Sequence, residues 1–156
     1  MISVGVIDMS RKVPAVVSFL VGLIYFPRVL LNPVLGVFSP LDLSLLRVLF
    51  DKLEDDLSKI ARSQCDEVNL VRCVTAKTSE INLFKMTAAG FSRERRVVFD
   101  RRDYVIASMT AVIAGVCKTN VRFFVVNGCL FSMDFDSDIS GFRHESRVEV
   151  VDFSAS

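Results

Sequence analysis

The dipeptide Asn127-Gly128 stands between two apolar runs, VRFFVV at 121–126 and LFSMDF at 130–135. A tight hairpin turn whose twist matches its strands needs positive φ at both central residues, and Asn followed by Gly tolerates this best. The pair commits the second half of the chain to an antiparallel sheet, and the remaining elements are read around it. RVEVVDF at 147–153 alternates and makes a last strand. EVNLVRCVT at 67–75 also alternates, with Val68, Leu70 and Arg72 on one side and Asn69, Val71 and Cys73 on the other. After a turn at 76–79, EINLFKM at 80–86 reads as the return strand, and RRVVFD at 95–100 as a short third one.

Two segments read as helices. At 39–62, Ser39 suits an N-cap, Pro40 the first helical position, and Asp42 stands three residues after the cap. Leu46, Phe50, Leu53, Leu57 and Ile60 then form one apolar stripe, with the acidic cluster 54–56 on the solvated side. At 101–118 a second helix is expected, capped by Asp100. Residues 104–117 carry no charge, so it should be buried nearly all round, with Ala107, Ala111 and Gly115 as a smooth ridge. The predicted architecture is α+β: two layers, a mainly antiparallel sheet, one amphipathic and one buried helix, and an apolar N-terminal arm. Residues 1–38 form the arm and 39–156 the α+β domain.

The arm is the chain's most unusual stretch. Residues 13–26 are 14 uncharged residues in a row, and a second apolar run follows Pro27-Arg28 up to Phe38. As a helix the first run reaches about 21 Å at 1.5 Å per residue, short of the roughly 30 Å of bilayer hydrocarbon. Joining both runs puts Arg28 near the centre, at a cost of about 3 kcal/mol. A membrane anchor, an arm packed into a neighbouring subunit and the first strands of the domain's own core all fit; Arg28 favours burial against protein. Arg11-Lys12 precede the run as in a secretory signal, but no small-residue cleavage site follows. The expected location is intracellular or organellar, with membrane association through 13–38 as the alternative.

Composition narrows the function classes. Of the 156 residues 51% are apolar, and the net charge is +1. Such a chain is neither disordered nor surrounded by the basic field that drives non-specific nucleic-acid binding. A mean hydropathy of +0.44 leaves apolar surface to be covered by a neighbour. The four cysteines, Cys65, Cys73, Cys117 and Cys129, match no zinc spacing and read as small buried hydrophobes.

Few residues offer chemistry. No nucleophile elbow, phosphate-binding loop or zinc helix motif is present, and His144, the only histidine, sits in a charged stretch that reads as exposed. Asp134, Asp136, Asp138 and Glu145 fall at positions 1, 3, 5 and 12 of a calcium loop, but Ile139 replaces the glycine its turn requires. They are a weak metal candidate, and a polar loop is the preferred reading. Arg93, Arg95, Arg96, Arg101 and Arg102 lie within ten residues and are the phosphate-binding candidate. From Lys85 to Arg102, six basic residues against two acidic give a local +4; from Gly128 to Ser156, two against six give −4. The bland alternative is that these arginines pair with Glu94, Asp100, Asp103 and the acidic tail inside one fold.

Together these features predict a non-enzymatic structural or interaction subunit of a larger assembly, docking through the arm, with other subunits or a second copy as partner. A membrane-anchored α+β protein and a phosphate or nucleic-acid backbone binder are the alternatives, nucleic acid being the less favoured partner. No cofactor is expected.

Overall fold

The computed structural model describes residues 38–73, 79–87, 90–92 and 95–156. The arm expected at 1–38 lies outside them, save Phe38. Two helices come first, α1 (Pro40–Lys52) and α2 (Asp55–Asp66). Strands β1 (Leu70–Cys73), β2 (Glu80–Thr87), β3 (Gly90–Ser92), β4 (Tyr104–Ile113), β5 (Cys117–Val126), β6 (Cys129–Phe135) and β7 (Val148–Ala155) follow, with a 3-10 turn at Ser140–Phe142 before the last. Six strands lie in the order β1-β2-β6-β5-β4-β7, and β3 pairs with the end of β2. Every pairing among the described residues is antiparallel. The fold is therefore α+β with a mainly antiparallel sheet, as expected.

The Asn-Gly hairpin is present. Asn127 and Gly128 take φ of 52° and 75°, and Val126 pairs with Cys129 across the turn. A Cβ on Gly128 would sit 2.9 Å from the Phe99 carbonyl oxygen, so this glycine is needed for space as well as for φ.

The buried helix expected at 101–118 is not formed. Residues 104–113 are strand β4, and Ala114 and Gly115, at φ 54° and 77°, turn the chain into β5. The competing principle is β-propensity. Val105, Ile106, Thr110, Val112 and Ile113 are β-branched, and burial alternates, with Met109, Ala111 and Ile113 inside and Ser108, Thr110 and Val112 half-exposed. A spacing of four fits a helical ridge, but it is also twice the strand period, so Ala107 and Ala111 are both buried in the sheet. The third strand expected at 95–100 is a loop instead, because this segment wraps the hairpin tip.

The single helix expected at 39–62 is two. The break falls at Leu53, in an extended conformation (ψ 154°) with its side chain buried. The acidic run 54–56 opens α2, where negative charge meets the positive end of the helix dipole. Ser58 Oγ donates to the Phe50 carbonyl at 2.7 Å, satisfying an acceptor left over at the end of α1. The expected capping of α1 holds: Asp42 N donates to Ser39 Oγ at 3.2 Å, and Ser39 N to Asp42 Oδ2 at 2.8 Å.

Both helices pack on one face of the sheet, α1 along β7 and α2 along β6. Leu41, Leu45, Leu46 and Leu49 meet Ile81, Leu83, Met109, Ile113, Phe123 and Met133 in one buried cluster. Phe123 is fully buried at its centre, and truncating a side chain of that kind to Ala costs about 3–5 kcal/mol.

Candidate functional site

The arginine-rich loop is an irregular segment held at several points. Residues 95–103 lie against the β5–β6 turn. Phe99 N donates to the Gly128 carbonyl at 2.9 Å, Gly128 N to the Arg102 carbonyl at 2.9 Å, and Asn127 N to Asp103 Oδ1 at 2.8 Å. Asp103, expected near a helix start, thus closes the hairpin turn instead. Phe99 is buried and meets Tyr104 edge to face at 6.4 Å.

Gln64 on α2 ties the loop to the sheet. It is 1% exposed. Its Nε2 donates to the carbonyls of Val97 and Gly128, both at 2.9 Å, and its Oε1 accepts from Leu130 N at 2.6 Å. A buried amide so engaged fixes three chain segments at once. Sequence reasoning missed it. The available signal was position: Gln64 stands where the apolar face of α2, with Leu57, Ile60 and Ala61, continues.

On this frame the loop presents charge and apolar surface together. Arg96, Arg101 and Arg102 are exposed, and Val97 and Val98 are 43% and 49% exposed. The Arg101 guanidinium lies over the Tyr104 ring, 4.8 Å from its centre. Arg96 N donates to Glu67 Oε1 at 3.0 Å, and the other Glu67 oxygen accepts from Lys85 at 2.5 Å; these bonds, Lys85 foremost, hold the Glu67 carboxyl below its ordinary range. Arg95 donates to the Ser92 carbonyl at 3.3 Å. Arg93 and Glu94 lie outside the described residues. Beside the loop, Val98, Phe99, Asp100, Arg102, Asn127 and Gly128 line an open pocket of about 440 Å³.

For Arg96, Arg101 and Arg102, the alternative pairing with the acidic tail is not found among the described residues. Among the described residues, Arg96, Arg101 and Arg102 form no ion pair, nor do Glu149 and Asp152 on β7.

The acidic candidates do not converge. Asp134 pairs across the sheet with Arg122 and Glu80, and one of its oxygens accepts from Ser132 at 3.0 Å. Asp136 is spent on Asn120 N, Thr119 Oγ1, Asn120 Nδ2 and Ser137 Oγ, and these bonds hold its carboxyl below the ordinary range. Asp138 accepts from Ser140 N at 2.9 Å, and Glu145 lies 3.3 Å from the exposed His144. No group of three His, Cys, Asp or Glu among the described residues could hold a metal ion.

The sequence matches no protein-family model and no curated protein, and the fold matches no solved structure.

A second polar cluster joins the start of α1 to the rest of the domain. Asp42 has no exposed surface, and its Oδ2 accepts from Arg143 at 2.5 Å. Arg143 also donates to Ser39 Oγ at 3.1 Å and to Cys73 Sγ at 2.6 Å. Burial pushes the Asp42 carboxyl up, and Arg143 opposes the shift. The cysteines differ from the expected uniform burial. Cys129 is buried and Cys73 exposed, and burial pushes the Cys65 thiol up to about 12. No described helix is long and apolar enough to cross a membrane.

Proposed function

We propose that this chain is a non-enzymatic interaction subunit of a larger protein assembly, docking through its apolar N-terminal segment. The carrying observation is that segment's composition: residues 13–38 hold one charge, Arg28, among 26 residues rich in Val, Leu, Ile and Phe. Each such side chain taken out of water contributes about 1.5–3 kcal/mol, so even partial burial against a neighbour outweighs the ordering it demands. Valines on the described surface add support, since Val97, Val98 and Val151 are 43%, 49% and 60% exposed. The test is the full chain carrying Leu20→Asp and Leu23→Asp, followed by light scattering. The reading expects the wild type to exceed 17.4 kDa and the variant to lose most of that excess. An identical mass distribution for both would contradict it.

A second reading, a phosphate or nucleic-acid backbone binder, draws on the exposed Arg96, Arg101 and Arg102, which no carboxylate neutralises among the described residues. Arg96→Gln with Arg102→Gln should then flatten the salt dependence of binding to a single-stranded oligonucleotide, the log–log slope falling by about 0.7 for each phosphate no longer neutralised. An unchanged slope excludes the loop.

A further inference from the structure

We infer that the loop 95–103 is the docking site for β7 of a second copy of this chain. This deepens the interaction-subunit reading and rests on it, naming one partner and a second surface. Both halves of the interface are on one polypeptide, and each lacks what the other offers.

The first half is a hole with a basic rim. The pocket of about 440 Å³ has a mixed wall, Val98 and Phe99 with Arg102, Asp100 and Asn127. Val97 and Arg96 lie next to it, both exposed. The loop carries Arg95, Arg96, Arg101 and Arg102 against Asp100 and Asp103, a surplus of two positive charges, and Asp103 is engaged by Asn127 N. The Gln64 bonds and the Phe99–Gly128 bond hold this surface in place before any partner arrives, so docking need not order it.

The second half is a knob with an acidic rim. β7 is an edge strand that pairs with β4 and with no other strand among the described residues. The register slips between Thr110 and Ala111: Thr110 pairs with Asp152 and Ala111 with Val150, so Val151 is the extra residue with no partner across the sheet. Its side chain is 60% exposed. Exposed carboxylates of Glu149 and Asp152 flank it, and β7 carries no basic residue. An edge strand usually presents Lys or Pro against unwanted pairing. This one presents an apolar side chain between two acids.

A valine between carboxylates complements a surface where Val97 and Val98 are exposed beside Arg96 and Arg102. Among the described residues, Arg96, Arg101 and Arg102 form no ion pair with Glu149 or Asp152. Between copies the arrangement is head to tail, the knob of one in the hole of the next.

Charge reversal tests it in the full chain. Variant L carries Arg96→Glu and Arg102→Glu; variant S carries Glu149→Lys and Asp152→Lys. All four positions are exposed, so folding is spared, and circular dichroism confirms it. In sedimentation velocity at low salt, L alone and S alone should each self-associate roughly hundredfold more weakly than wild type. Mixed one to one, L and S should recover wild-type association, because each reversed patch then meets its complement. Weakening in L but not S assigns the loop to another partner and overturns the inference. Failure of the mixture to recover overturns it too. Association that ignores both reversals, yet disappears with Leu20→Asp and Leu23→Asp, leaves the apolar-segment reading standing and removes this one. A wild type that stays monomeric removes both.

Discussion

Replacing Gln64 by Leu keeps the volume on α2 and removes every hydrogen bond its amide makes. Three groups lose a partner: Leu130 N–H and the carbonyls of Val97 and Gly128. They are not equal. The Gly128 carbonyl still accepts from Phe99 N at 2.9 Å, and Val97 is exposed enough for water to take over. Leu130 is 2% exposed, so its amide is left buried and unpaired. An orphaned buried donor costs about 1–3 kcal/mol. Adding the weaker anchoring of the loop, the expected loss is about 3 kcal/mol, a large share of the roughly 5–15 kcal/mol that holds a typical domain. Gln64→Ala should cost about 1 kcal/mol more, because it opens a cavity as well. Urea unfolding followed by circular dichroism measures both, and hydrogen exchange localises the effect: the Leu130 and Phe99 amides should lose protection before the centre of β4 does. A Gln64→Leu variant within about 0.5 kcal/mol of wild type, the scatter of an ordinary surface substitution, with the Leu130 amide still protected, would refute this account of the loop.

Three further outcomes follow from local geometry. Gly128→Ala places a Cβ 2.9 Å from the Phe99 oxygen at φ +75°; it should lose about 2 kcal/mol, or roughly 4–8 °C in a thermal melt, while Gly141→Ala, with nothing within 4 Å, should change little. Arg143→Met leaves the fully buried Asp42 without its counter-ion and should cost about 3 kcal/mol at neutral pH. The Asp42 carboxyl is raised by burial, so its contribution is present below the ordinary value of 3.8 and lost as pH rises through the folded value; the variant's deficit should therefore shrink in acid, as urea titrations at several pH values will register. Asp136 behaves oppositely, being lowered by its donors: it stabilises above the ordinary 3.8 and loses this as pH falls through the folded value, so Asp136→Asn should flatten the acid limb of the stability profile.

The parts of the fold that were legible had a local cause. Asn127-Gly128 carries its own turn geometry, and Ser39-Pro40 with Asp42 carries its own cap, so the hairpin and the start of α1 could be read directly. The segment 104–117 could not. A charge-free run fits a buried helix and a central strand equally well, and the even spacing of Ala107, Ala111 and Gly115 serves both periods. Placing it depends on β5 and β7 lying on either side, which is tertiary information. The arginine group was visible as a cluster, but what anchors it was not: Gln64 acts on residues 33, 64 and 66 positions away. The acidic residues show the reverse failure. Their calcium-loop spacing is real in sequence, but Asp134 faces Arg122 on a strand and Asp136 turns back to Asn120, so the spacing never becomes a cage.

The central claim is that this polypeptide covers its apolar surface with a neighbour. Sedimentation equilibrium of the intact wild-type chain at low ionic strength over a wide concentration range tests that most directly. The account predicts a weight-average mass that climbs well above 17.4 kDa as concentration rises. A single ideal species at 17.4 kDa throughout would contradict it.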